Sequence, residues 1–207
     1  MPLQRSWLNR FNRLRYSLYV PLYDRVAGLF AGWRRRSIGL LAPRAGERVL
    51  LLGAGSGLDL DYLMMQPELC TIDITPAMIK RLRQHAANLG LQVDAQVMDG
   101  QALDFADASF DAVILHLILA VIPDPQACLR EVERVLKPGG RVVILDKFLP
   151  DGSRASLPRR LANLLTSVLA TSIDRRLADI LAATQLTKTY DESVGFSGFF
   201  RIVLLRK

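Results

Sequence analysis

Four short stretches carry residues that could do chemistry. "LLGAGSGLDL" (51–60) sets Gly53, Gly55 and Gly57 at alternate positions directly after an apolar run. Glycines there permit positive φ and a close approach of backbone to ligand. Asp73 in "CTIDIT" and Asp99 in "VMDGQAL" each follow another apolar run. A carboxylate at the first position can accept hydrogen bonds from both hydroxyls of a ribose, and one at the second from an adenine amine. The competing readings are local: Asp73 caps the helix that starts at Pro76, and Asp99 makes a turn with Gly100. Together with the glycine loop, the two acids favour a nucleoside ligand. The fourth stretch is "VILHLIL", with His116 at the end of an apolar run. An imidazole titrates near neutrality and suits the removal of a proton from an amine. The competing reading is a core histidine satisfied by backbone.

Two other phosphate or nucleotide signatures do not fit. The spacing is G-x-G-x-G, with Leu58 where the dinucleotide fingerprint has its last glycine, and no Gly-Lys-Ser/Thr follows. Neither Cys70 nor Cys128 stands in a ligand spacing with the two histidines. Both lie in apolar stretches and read as small buried residues in a reducing compartment.

The elements that must position these residues alternate. Apolar runs predict strands near 48–52, 70–74, 92–98, 110–116 and 141–147. Helical spacing predicts helices near 57–66, 76–89 and 125–136. Such alternation argues for an α/β fold, a doubly wound, mostly parallel sheet with helices on both faces. Thr75-Pro76 reads as a helix start, with Thr75 as N-cap, and "KPGG" (137–140) as a helix stop followed by a turn. Asp124 is either a substrate-end residue or the cap of the next helix, and Lys147 ends the fifth strand. Residues 153–184 have helical apolar spacing flanked by arginines, and strands near 186–191 and 198–206 follow. With 207 residues and half of them hydrophobic, the chain has enough material for one well-filled core.

Charge is distributed unevenly. Through residue 45 there are nine arginines and one acid, Asp24, a net of +8; the remainder has 18 Lys and Arg against 19 Asp and Glu, a net of −1. Trp7, Leu8, Phe11, Leu14 and Leu18 recur at helical spacing within this basic arm. A basic helix with such a face fits an anionic membrane surface; the alternative is a helix packed on the body with its arginines solvated. No continuous apolar core with a cleavage site follows, and no stretch is long and apolar enough to span a bilayer.

The runs "VLLLGAGSGLDL", "IDITPAMI", "MDGQALDFADASFDAVILHLILAVIPDP" and "CLREVERVLKPGGRVVILD" resemble class I S-adenosylmethionine-dependent methyltransferases in order and spacing. The resemblance implies a seven-stranded sheet whose last strand is antiparallel. It implies S-adenosylmethionine as cofactor, with the three glycines at its methionine part, Asp73 at the ribose and Asp99 at the adenine. The implied cofactor set is Tyr23, Gly53, Ala54, Gly55, Gly57, Asp73, Ile74, Asp99, Gly100, Gln101 and His116, with His116 and Tyr19 as the catalytic pair. One departure is Leu51, where the family usually has an acid. "YVPLYDRVAG" and "ILAVIPDP" are similar to bacterial phosphatidylethanolamine N-methyltransferases, the former segment also to quinone C-methyltransferases. In those relatives the Tyr-Asp segment folds over the cofactor, so Tyr23 is expected at the cofactor and Tyr19 at the substrate. The expected division is an arm and lid over 1–36 and a methyltransferase domain over 37–207, with a helical cap near 153–184. The expected partners are a lipid substrate and the inner face of an anionic membrane, from the cytoplasmic side. A quinone-like or small-molecule acceptor is the alternative. The basic arm also suits a nucleic acid, so a nucleic-acid-binding protein is the remote alternative; no nucleic-acid partner is expected, because an apolar stripe and an intact cofactor loop have no purpose on a phosphate backbone.

Overall fold

The computed structural model describes residues 28–63, 68–149, 175–195 and 199–207. Residues 1–27 of the basic arm, Tyr19 and Tyr23 among them, and residues 153–174 of the expected cap lie outside the described residues.

Seven strands form one sheet: β1 (Arg48–Leu52), β2 (Glu68–Asp73), β3 (Val93–Val97), β4 (Phe110–His116), β5 (Leu136–Lys147), β6 (Thr187–Val194) and β7 (Phe200–Arg206). Their order is β3-β2-β1-β4-β5-β7-β6. β1 to β5 run parallel, and β7 is antiparallel to both β5 and β6. Val49–Leu52 of β1 and Ala112–His116 of β4 are buried throughout, because neighbouring strands and helices on both faces leave these central strands no solvent side.

Helix α1 (Ala31–Leu41) and α2 (Pro76–Asn88) cover one face, burying Ile38, Leu41, Ile79 and Leu82 against Leu51, Ile114, Val143 and Leu145. On the other face α3 (Pro125–Val135) and the short α4 (Leu177–Leu181) pack Leu129, Val132, Leu177 and Ile180 on Leu50, Val113, Leu115 and Ile144. α1 runs through residue 36, where the sequence sets the edge of the arm.

Three expectations differ from the structure. In place of a helix over 57–66, the described part is a tight turn with a single 3₁₀ segment, Leu60–Tyr62. Gly57 sits at φ +91, outside the right-handed helical region, and successive i→i+3 bonds continue the turn, Leu60 N to Gly57 O and Leu63 N to Leu60 O. "KPGG" does follow the end of α3, but it is already strand. Leu136 pairs with Phe110, and Gly139 and Gly140 exchange hydrogen bonds with Lys207 at the end of β7. Thr75 is the N-cap residue of α2, yet its side chain makes no capping bond.

Candidate functional site

All five parallel strands end at one edge of the sheet, and the chemistry-bearing residues collect there. The order β3-β2-β1-β4-β5 places the residues after β3, β2 and β1 side by side. Gly53 N and Ala54 N both donate to Ile72 O at 2.9 Å, which turns the chain sharply off β1. Gly53 (φ +71), Gly55 (φ +56) and Gly57 (φ +91) all adopt the left-handed conformation. A Cβ on Gly53 would lie 2.7 Å from Ile118 Cγ1 in the loop after β4. The glycine is therefore needed for packing as well as for its dihedral angle.

Asp73 ends β2 and ties the loop down. Its Oδ2 accepts from Gly55 N at 3.0 Å and its Oδ1 from Thr75 N at 2.8 Å. Burial pushes its carboxyl above the usual aspartate range, against the pull of those two N–H groups. Each oxygen uses one lone pair on the backbone, so acceptor capacity remains for ribose hydroxyls. Asp99 Oδ1 accepts from Gln101 N at 3.0 Å and Gln101 Nε2 at 2.9 Å, while Gln101 Oε1 accepts from Asp124 N at 2.9 Å. The turn carrying Asp99 is pressed on the end of β1, since a Cβ on Gly100 would come within 2.8 Å of Leu52 Cδ2. The turn expected at Asp99 is thus present, whereas Asp73 does not cap the helix from Pro76: it accepts from the N–H of the N-cap residue Thr75 and from Gly55. Ile74 stays half-buried beside it, and Ala54 is buried within the loop. The glycine turn, Asp73 and Asp99 form an acid-flanked backbone cradle along β1, β2 and β3, which fits the ribose and amine donors of a nucleoside cofactor. Asp124 caps α3, its Oδ1 accepting from Ala127 N at 2.9 Å.

His116 is placed at this edge but faces inward, 4% exposed. Its Nδ1 lies 2.7 Å from Asp59 Oδ1, and its Nε2 lies 2.9 Å from Ser37 Oγ. Arg34 Nη1 donates to the other oxygen, Asp59 Oδ2, at 2.7 Å. Burial by itself would raise the Asp59 carboxyl, but His116 and Arg34 hold it well below the usual carboxylate range. An ionised carboxylate only accepts, so Nδ1 carries the hydrogen. This is the core reading of His116, with side chains in place of backbone as its partners. Ser, His and acid in this order of contact also make an acyl-transfer triad. Here Ser37 is wholly buried inside α1, so no acyl group can reach its hydroxyl. The residue after the histidine, Leu117, has φ +59, an unusual conformation for leucine and a strained exit from β4.

Asp59, Arg34 and Ser37 were not among the expected site residues. Their signal was present as Arg34, Ser37, Ile38 and Leu41 at i, i+3, i+4 and i+7, a buried stripe whose first two members are polar. Leu51 is 1% exposed beneath α1 and α2, so no carboxylate stands at that position, and the first acid after the loop, Asp59, is engaged by Arg34 and His116. Beyond β5, Phe30, Trp33 and Phe200 form an aromatic cluster with centroids 5.0–5.4 Å apart.

Comparison with known proteins adds four likenesses. The family described as "Methyltransferase domain" matches residues 50–144. A phosphatidylethanolamine N-methyltransferase from Cereibacter sphaeroides is 35% identical over 144 residues, 68% of this chain and 71% of that protein. A demethylmenaquinone methyltransferase from Thermus thermophilus is 34% identical over 140 residues, covering 63% of each chain. Among solved structures, the [4+2]-cyclase SpnF superposes with a TM-score of 0.81 at 17% identity, covering 96% of both chains. That last likeness shows the fold alone, and a cyclase built on it shows that the fold hosts more than one reaction.

Proposed function

The chain belongs to the class I S-adenosylmethionine-dependent methyltransferases, and we propose that it methylates the amine of a lipid such as phosphatidylethanolamine at an anionic membrane surface. The observation that carries this reading is the 35% identity to a phosphatidylethanolamine N-methyltransferase, of which the chain covers 71%. The basic, Trp- and Phe-bearing arm agrees with it, because a lipid substrate requires an enzyme that rests on the bilayer. Among the described residues no helix is long and apolar enough to cross a membrane.

The cofactor supplies an electrophilic methyl group on a sulfonium. This chain's own residues bind and orient. Gly53, Gly55 and Gly57 offer backbone at close range, Asp73 receives the ribose hydroxyls, and Asp99 with Gln101 lies toward the base. Tyr23 and Tyr19, which lie outside the described residues, are proposed from the family resemblance as contacts of the cofactor and of the substrate. Transfer is an in-line displacement, so holding the nucleophile in line is the main contribution of the protein. His116 contributes by fixing the end of β4 to α1 through Ser37 and Asp59, since both of its ring nitrogens are already engaged.

A second reading, C-methylation of a quinone-like lipid, is favoured by the 34% identity to the demethylmenaquinone methyltransferase. Both readings put an apolar acceptor at the same end of the sheet. Incubation with methyl-labelled cofactor and total lipid extract separates them by the product that carries label: a phospholipid headgroup for the first, a neutral quinone for the second.

A further inference from the structure

We propose that Lys147 binds the phosphate of an amphiphilic substrate's headgroup, beside an aromatic surface that receives the adjoining apolar part. The inference rests on the lipid-amine reading and assigns the part of that lipid which the chain recognises besides the amine.

Lys147 is the last residue of β5 and pairs in register with Phe200 of β7. Strand alternation puts it on the same face as Leu145, which lies in the core beneath α1 and pairs with His116. The lysine therefore emerges on the α1 side of the sheet, at the edge where the glycine loop and Asp73 also stand. Phe200 is a member of the Phe30–Trp33–Phe200 cluster. Next to that cluster in the chain, Leu29 is 81% exposed.

Several other charges at this end are paired, whereas the Lys147 ammonium has no ion-pair partner among the described residues. Asp59 is held by Arg34 and His116, Glu192 by Arg36, and Asp191 by Lys188 and Arg201. The adjacent acid, Asp146, points to the opposite face. It is wholly buried, and its two oxygens accept from Ala120 N at 2.9 Å and Lys147 N at 2.8 Å. Among the described residues, no carboxylate lies within ion-pair reach of the Lys147 ammonium. Burial pushes that ammonium below the usual lysine range, with Asp146 opposing only in part. A half-buried cation with no carboxylate partner among the described residues, in register with Phe200 of a partly buried aromatic cluster, matches a phosphate attached to an apolar chain. Free phosphate would use the lysine alone; a phospholipid would use both features.

The test compares wild type with Lys147→Met and Lys147→Arg on short-chain phosphatidylethanolamine in nonionic micelles and on a long-chain primary amine without phosphate. Lys147→Met is expected to raise KM for the phospholipid by about tenfold to a hundredfold, the worth of a charge-assisted hydrogen bond. The preference for phospholipid over the plain amine should fall by a similar factor, and Lys147→Arg should restore most of it. Inorganic phosphate is added as a competitor. Weak inhibition of wild type, lost in Lys147→Met, supports the site and shows that the lipid part supplies additional affinity. Equal KM for phospholipid in wild type and Lys147→Met overturns the inference. Should no lipid amine be methylated by wild type, the functional reading fails by itself. Calorimetric binding of the short-chain phospholipid then still decides the site: tighter binding to wild type than to Lys147→Met upholds it, and equal binding overturns it.

Discussion

His116 Nδ1 and Asp59 Oδ1 meet at 2.7 Å in the interior, joining the end of β4 to the segment that leaves the glycine loop. Arg34 closes on the same carboxylate from α1, so one buried acid links three parts of the chain around the cofactor end. Removing that charge leaves a guanidinium and an imidazole without their acceptor. Asp59→Asn should therefore destabilise the fold at pH 7 by about 3–5 kcal/mol. Because the folded Asp59 carboxyl is held below its ordinary 3.8, its contribution is present above that pH and is lost as pH falls further. Asp73 and Asp146, raised by burial, have the opposite sign. The difference between wild type and variant isolates Asp59. Urea unfolding across pH should show that gap closing below about 3.8; a gap independent of pH contradicts the assignment.

Asp73 binds the loop from below through Gly55 N and is expected to bind ribose from above. Asp73→Ala should weaken S-adenosylmethionine binding by about 1–3 kcal/mol, read by calorimetry. Unchanged affinity would remove Asp73 from the site.

Two glycines separate conformational strain from contact. Gly139 (φ +76) has open space around a would-be Cβ, whereas Gly53 (φ +71) faces Ile118 at 2.7 Å. Gly139→Ala should cost about 1–2 kcal/mol, the left-handed penalty alone. Gly53→Ala should cost more and also weaken cofactor binding. Equal losses in denaturant unfolding would mean that Ile118 yields freely.

The central strands are legible because they are apolar runs bounded by turn residues, Phe110–His116 to its observed limits, whereas the edge strands Val93–Val97 and Thr187–Val194 are largely polar. The acids at the ends of β2 and β3 are legible too, since a lone carboxylate after apolar residues stands out. What hid the Asp59 network was its chemistry. Arg34 opens an Arg-Arg-Arg triplet that reads as a solvated face, and only a partner 25 residues away buries it. The glycine spacing that marked the ligand loop also misled, because apolar periodicity after Gly57 suggested a helix that the positive φ at that residue cuts short. His116 could be placed on its strand but not given partners, since Ser37 is 79 residues distant.

Residues 5–18 are proposed to carry the enzyme to anionic lipid. Arg5, Arg10, Arg13 and Arg15 should each add on the order of 1 kcal/mol near such a surface. That attraction fades with salt, being screened over about 8–10 Å at ordinary ionic strength, while insertion of Trp7 and Phe11 persists. Deleting residues 1–15 should abolish sedimentation with anionic vesicles and leave cofactor binding intact. Equal sedimentation of full-length and shortened protein contradicts the proposal, and stronger capture by duplex nucleic acid than by vesicles would reassign the arm.

The acceptor decides the account most directly. Full-length protein, methyl-labelled S-adenosylmethionine and mixed vesicles holding phosphatidylethanolamine and a demethylated quinone in equal amounts should give label in the phospholipid headgroup, on nitrogen. Label in the quinone ring, with none on the phospholipid, would contradict it.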